Sequence, residues 1–279
     1  MKEYQFILLN LMNYRIYNAE NHDYPIVFSL PHSGVDISEN MRKKLREDAI
    51  LSNTDWFLRE LYSFLHDDMN QTLIENNLNR YLADPNRSPQ AIGNGNSYMD
   101  NVIYKENTFG KPLYKEKLSK DDIGNRISSY YYPYHQALEK LLKDKIDKFG
   151  KVFLIDLHSF ALYPKYEELD TCDFVLGNDS DKTSSKDFRL MITSMLEDSS
   201  FSVSNNFPFS GGYITKHYGL EKNIESLQME IRYSTYIGDR EFGEEELDSS
   251  IIDKDTFNET KNKLNIVFTK IFDVIKDFK

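Results

Sequence analysis

Apolar and polar positions along the chain follow two periods, and the switches between them lay out the elements. The run Ile26–Leu30, bounded by Pro25 and Pro31, predicts a buried strand. Residues 152–158 predict another, and four consecutive apolar residues there fit a strand covered on both faces. Phe174–Gly177 and residues 72–74 predict shorter strands, as does Tyr81-Leu82-Ala83. In 224–233 the pattern alternates, placing Leu227, Met229 and Ile231 on one face and Glu230 on the other.

Helical spacing takes over between these runs. Residues 41–50 predict a charged surface helix. Thr54 is placed to cap a stronger one carrying Trp56, Phe57, Leu61, Tyr62 and Leu65. A long helical pattern covers 120–148, with Gly150 as its stop and Pro133 as a break or kink. Residues 188–196 predict a further helix. The C-terminal stretch predicts an amphipathic one carrying Phe257, Leu264, Val267, Phe268, Ile271, Phe272 and Ile275. From 84 to 110 neither period persists, and a loop of that length is uncommon unless it builds a site or a lid. Strands alternating with helices, and no internal repeat or linker, predict one α/β domain over 1–279 with a mostly parallel or mixed sheet. In such sheets a site lies beyond the carboxyl ends of the strands.

Composition narrows the partners. A 40% hydrophobic chain with 14% aromatic residues can fill one large core. A net charge of −11 argues against nucleic acid or an anionic membrane surface as the main partner. A small anionic substrate stays open, because a few convergent arginines set the sign of a pocket. No run approaches the ~18 uninterrupted apolar residues of a membrane span. The early run Phe6-Ile7-Leu8-Leu9 is interrupted by Asn10 and Asn13 and leads into no cleavage pattern, so no signal peptide is read. The lone Cys172 excludes an intrachain disulfide framework and suits a reducing, cytoplasmic setting.

The candidate chemistry collects at strand ends. His32 follows the first strand directly in PHSG, and His158 closes the 152–158 strand in DLHS. Two such histidines and one carboxylate make a zinc site with a position open for water, the carboxylate being Asp36, Glu39 or Asp55. Arg80, Asn86 and Arg87 stand in a Pro-rich loop, where guanidinium groups can grip carboxylates bidentately. Glu230 is either paired with a cation such as Arg232 or a general base. Gly211 and Gly212 allow close backbone approach to a ligand beside Thr215 and His217. His135 reads as a helix residue bonded to its neighbours, and His22 and His66 as solvated side chains.

In this order the pieces resemble the N-formylglutamate amidohydrolase family. The matching blocks are PHSG at 31–34, NTDW at 53–56, NRYLADPNRSP at 79–89, GKPLY at 110–114, YYPYH at 131–135, DLHS at 156–159, SGGYITKHYG at 210–219 and ESLQMEI at 225–231. The chain departs from the family pattern at Asn79, where a small residue is expected, and at Ser210, where a Lys is usual.

The resemblance implies a zinc-carboxypeptidase-like three-layer α/β sandwich with a mixed central sheet. It implies Zn2+ held by His32, His158 and a third ligand. Because Val35 occupies the place of the Glu often found three residues after the first His, Asp55 of NTDW is taken as that ligand. It further implies Glu230 as base, Arg80 as oxyanion partner and Asn86 with Arg87 on a substrate carboxylate. Gly211, Gly212, Thr215 and His217 would close on the rest of an N-acyl amino acid. The expected reaction is hydrolysis of N-formyl-L-glutamate to formate and L-glutamate, as in histidine breakdown. The alternatives are a related zinc hydrolase of other N-acyl amino acids or short peptides, and a non-catalytic binding relative.

Overall fold

A computed structural model describes residues 13–91, 101–161, 172–238 and 253–276. The Phe6–Leu9 run and part of the 84–110 loop lie outside them.

Chain order gives β1 (Tyr14–Tyr17), β2 (Ile26–Leu30), α1 (Glu39–Lys44), α2 (Leu58–Leu61), α3 (Phe64–Asp67) and β3 (Leu73–Asn76). There follow α4 (Lys120–Arg126), α5 (Tyr132–Phe149), β4 (Val152–Phe160), β5 (Phe174–Gly177), α6 (Lys186–Glu197) and β6 (Val203–Asn205). The last are α7 (Tyr213–Gly219), β7 (Ile224–Arg232), α8 (Tyr233–Tyr236) and α9 (Lys254–Ile275). The strands form one seven-stranded mixed sheet in the order β1-β3-β2-β4-β7-β5-β6. Its centre, β3-β2-β4-β7, is parallel, while β1 runs antiparallel to β3 and β5 antiparallel to β7.

Alternation along the central strands decides what each face buries. Ile26, Phe28, Phe153, Ile155, Leu157, Leu227, Met229 and Ile231 pack under α2, α3, α6 and α9. Val27, Val152, Leu154 and Ile224 face α5 and α7, meeting Leu138, Leu142, Ile214 and Tyr218. α9 seats Leu264, Val267, Phe268, Ile271 and Ile275, each fully buried and each contributing about 1.5–3 kcal/mol as an upper bound. A third cluster, around Tyr81, Leu82, Tyr104, Leu113 and Tyr131, supports the loops above the strand ends.

Several expected elements come out differently. The 41–50 helix stops at Lys44, because Leu45 turns extended to bridge Tyr114 and only Met41 of α1 is buried. Thr54 caps nothing. The carbonyls of Thr54 and Trp56, which a helix would use, accept the hydroxyls of Tyr233 and Tyr236 instead. Phe57 then takes a left-handed conformation (φ 57°), and the apolar stripe divides into the short α2 and α3. Tyr81-Leu82-Ala83 is a turn, since the Asn79 side chain accepts the Tyr81 N–H and the Asn79 carbonyl the Leu82 N–H.

Pro133 does not break its helix. A π turn over Ile127–Tyr131 joins α4 to α5. The carbonyl of Ser129, which Pro133 has no N–H to satisfy, accepts the Asn13 amide at 2.7 Å. Residues 213–219 form α7, a helix the spacing did not announce, and β1 and the short β6 had no legible pattern either.

Candidate active site

At the carboxyl ends of β2, β4 and β7, on the face covered by α5 and α7, one cavity of about 1020 Å3 opens. Parallel register sets its floor. β4 pairs with β7 so that His158 lies beside Glu230 and Asp156 beside Gln228, all pointing to one face. β2 ends one residue before Pro31 and delivers His32 next to them. The backbone is pinned there by the Asp55 N–H, which donates to the His32 carbonyl at 3.1 Å. Gly34 is required beside it, because a Cβ would lie 2.2 Å from the Asn77 carbonyl carbon.

His32 and His158 stand with ring centroids 4.8 Å apart, both buried. Each is oriented by a carboxylate on its far nitrogen. His32 donates its Nε2–H to Asp84 Oδ1 at 2.7 Å, and His158 donates its Nε2–H to Asp156 Oδ2 at 2.8 Å. Both Nδ1 atoms therefore face Asp55 Oδ2, at 3.8 Å from His32 and 3.1 Å from His158. The three ligand atoms lie within 4.8 Å of one another. Carboxylates on the outer nitrogens of metal-binding histidines fix tautomer and ring angle in the same way. Asp36 and Glu39, the other candidates for the third carboxylate, are exposed on the surface.

Asp84 is the hub that sequence reasoning missed. Fully buried, it accepts from His32, from the Asn86 N–H at 2.7 Å, from the Tyr104 hydroxyl, and from Arg80 through Nε at 3.2 Å and Nη2 at 2.9 Å. The signal was the Asp-Pro-Asn turn of residues 84–86, whose Asp can bind the backbone two residues on. Asp156 is anchored from behind by Ser29, which also meets Tyr134 of α5.

Four carboxylates (Asp55, Asp84, Asp156 and Glu230) converge on this small volume against the guanidinium groups of Arg80 and Arg87. Burial, joined by the Arg80 charge, lowers the His32 pKa to about 4, so the ring is neutral and free to ligate. Burial also opposes charge on His158, yet Asp156, Asp55 and Glu230 overcome it and hold that ring well above its ordinary value. Burial raises the Glu230 carboxyl to about 7, against the pull of the His158 charge. Its Oε1 accepts the Gln228 amide, whose own oxygen accepts the Gly212 N–H. A site that draws protons onto one imidazole and one carboxyl while keeping a second imidazole neutral suits a divalent cation.

Other expected residues take different stations. Arg80 lines the cavity but grips Asp84 and the Asn53 carbonyl. Asn86 lies 3.1 Å from His158 Nε2 and accepts the Ile214 N–H, so it ties the start of α7 to the site. Gly212 must be glycine for that contact, since a Cβ would fall 2.3 Å from the Asn86 amide. Arg87, Gly211 and Gly212 line the cavity as expected. Thr215 is fully buried beneath Gly211, and His217 is exposed, stacked on Tyr213 with centroids 4.9 Å apart; neither is among the lining residues. His135 is a satisfied core histidine between Tyr218 and the Pro85 carbonyl. His66 is half-buried and stacked on Tyr17 rather than solvated. Among the described residues no helix is long and apolar enough to cross a membrane.

The family model described as N-formylglutamate amidohydrolase matches residues 24–237, which carry every side chain of this cavity named above. The chain belongs to that family. It is 29% identical over 227 residues to an N-formylglutamate deformylase of Pseudomonas putida, covering 78% of this chain and 83% of the relative. A second N-formylglutamate deformylase, from Pseudomonas aeruginosa, is 27% identical over 223 residues, covering 77% of this chain and 83% of the relative. The fold is shared with the crystal structure of an N-formylglutamate amidohydrolase from Ralstonia eutropha JMP134, at a TM-score of 0.77 and 22% identity. That match covers 95% of this chain and 99% of the other. A gene product of Agrobacterium tumefaciens matches at a TM-score of 0.70 and 15% identity, covering 95% and 98%.

Proposed function

We propose that this protein is a zinc-dependent amidohydrolase that cleaves N-formyl-L-glutamate to formate and L-glutamate, a reaction suited to histidine degradation. The observation that carries the reading is the pair of buried histidines turned by Asp84 and Asp156 toward Asp55, with Glu230 beside them. Family membership and the names of the Pseudomonas relatives support the substrate. His32, Asp55 and His158 would hold the ion, and two imidazole nitrogens with one carboxylate favour zinc among divalent metals. A metal bound there supplies a water of lowered pKa and polarises the amide carbonyl.

The remaining chemistry belongs to the chain. Glu230, held by Gln228 and with its pKa raised by burial, accepts the proton of the attacking water and returns it to the departing amine nitrogen. Water adds across the C–N bond: its oxygen ends on the formyl carbon and its hydrogen on the amine. Arg80 turns positive charge toward the reacting carbonyl while steadying Asp84. Arg87 grips the α-carboxylate, and Gly211 and Gly212 let the chain approach the bound substrate closely. In this reading the fold is the zinc-carboxypeptidase-like sandwich, and the lone Cys172 supports action in the reducing cytoplasm.

A second reading is a hydrolase of larger N-acyl amino acids, for which a cavity of about 1020 Å3, at the upper end of the ~300–1,000 Å3 typical of ligand pockets, leaves room. The test is metal content by elemental analysis, with formate release from N-formyl-L-glutamate before and after chelation. About one zinc per chain and chelator-sensitive release are expected. Zinc without formate would move the assignment to other acyl groups. No metal and no release after zinc addition would refute both.

A further inference from the structure

N-formylglutamate carries two carboxylates, and the Arg87 grip accounts for one. The cations lining the cavity among the described residues are Arg80, Arg87 and Lys216. Arg80 is committed to the fully buried Asp84 by two hydrogen bonds. Lys216 is placed otherwise. It stands on α7 one turn beyond Gly212, its N–H donating to the Gly212 carbonyl at 3.1 Å. Gly212 itself contacts Gln228, which holds Glu230. One helical turn is ~5.4 Å and a lysine stem is long and flexible, so Lys216 can meet a group several bonds from the reacting carbonyl.

Its contact with protein is loose. Lys216 Nζ lies 3.6 Å from Asp179 Oδ1, beyond direct hydrogen-bond length, and Asp179 is held more closely by Lys182 at 3.1 Å. The Lys216 side chain stays 42% exposed. The loop that presents Asp179 is fixed. Asp179, Ser180 and Asp181 are successive left-handed residues (φ 50°, 57° and 67°), and the Asp179 N–H donates to the Ser210 carbonyl at 2.7 Å. Such backbone is costly and persists where surrounding bonds hold it. Here those bonds hold a shared counter-charge beside the ammonium of a cavity-lining lysine.

We infer that Lys216 is the specificity residue for the side-chain carboxylate of the substrate, exchanging its loose contact with Asp179 for that group on binding. The inference rests on the deformylase reading for its substrate, and binding tests it separately from turnover. Calorimetry would compare N-formyl-L-glutamate with N-formyl-L-glutamine on the full-length, zinc-loaded chain carrying Glu230→Gln, with Lys, Met or Arg at position 216. Formate release would be measured in parallel on the same position-216 series with Glu230 intact.

With Lys216 present, the glutamate compound should bind better than its neutral isostere. Lys216→Met should erase about 10- to 100-fold of that preference, the worth of a hydrogen bond between charged groups. Lys216→Arg should restore most of it. The preference should also weaken with added salt. A preference unchanged in Lys216→Met, or absent with Lys216 in place, would overturn the inference. Equal losses for both compounds would mark a structural role and overturn it too. An intact, Lys216-dependent preference without formate release would sink the deformylase reading alone and leave the inference standing.

Discussion

Asp84→Asn isolates the orienting carboxylate of His32 with almost no change in shape. Asp84 Oδ2 takes the Arg80 guanidinium and the Tyr104 hydroxyl, while Oδ1 takes the His32 Nε2–H and the Asn86 N–H. Arg80 places two charged N–H groups on Oδ2, so the new amide keeps its oxygen there and presents its NH2 to His32, leaving the Asn86 N–H, also a donor only, without its acceptor. Nε2 is then forced to accept, and the ring proton moves to Nδ1, the atom facing Asp55. The variant thereby removes a ligand lone pair without touching a ligand. Loss of such an outer partner costs about 10- to 100-fold in metal affinity, or about 1.4–2.8 kcal/mol. Leaving Arg80 without its full counter-charge adds a stability loss of about 3 kcal/mol. Competition against a fluorescent chelator gives the affinity, and urea unfolding of the metal-free protein gives the stability. Zinc affinity within twofold of the parent, in a folded variant, would refute this account of the histidine tautomer.

Glu230→Gln should lower kcat by about 10^2- to 10^4-fold while zinc content stays near one per chain; full activity would remove Glu230 as base. Because burial raises the Glu230 carboxyl to about 7, activity should fall as pH drops below that value, and a cation bound nearby moves the midpoint lower. The same group also makes stability depend on pH. Between its ordinary 4.5 and about 7 the folded protein keeps a proton that the unfolded chain has lost. Metal-free stability should therefore decline by about 3 kcal/mol as pH rises through that window, a slope that Glu230→Gln flattens in urea titrations. Gly212→Ala drives a methyl into the Asn86 amide, so it should raise KM and lower the melting temperature together; a variant indistinguishable from the parent would show that the α7 contact is not tight.

Strands buried on both faces announced themselves. The apolar run of β4 and the alternation in β7 were legible because sheet and helix layers leave those positions no other solution. His32 and His158 were legible as a pair because each lies within two residues of such a strand's end, and the structure brings them together with Asp55. Partner choices made by distant side chains were not legible. The Tyr233 and Tyr236 hydroxyls capture the carbonyls that a helix after Thr54 needed, and nothing near residue 54 records those tyrosines. Asp84 escaped notice for a related reason, since its role comes from joining donors of its own loop, Arg80 and Asn86, to His32 and Tyr104 on other stretches of chain. His217 misled in the other direction. Glycines beside a histidine suggested a ligand loop, but the helical period of α7 turns that ring outward onto Tyr213.

The parallel pairing of β2 with β4 also governs when the site can exist. Asp55 and His158 are 103 positions apart, and at about 5–20 residues per second a ribosome separates their synthesis by roughly 5–20 s. Throughout that interval β2 can pair only with β3, and its other edge, apolar on both faces, has no neighbour. The nascent chain thus carries two of the three converging candidate ligand groups on an unfinished sheet, and captures the third only when β4 slots in beside β2. Long-range parallel pairing of this kind is slow to form. The geometry that makes the finished site rigid therefore makes its assembly late, and exposes the growing chain to misassociation until β4 arrives.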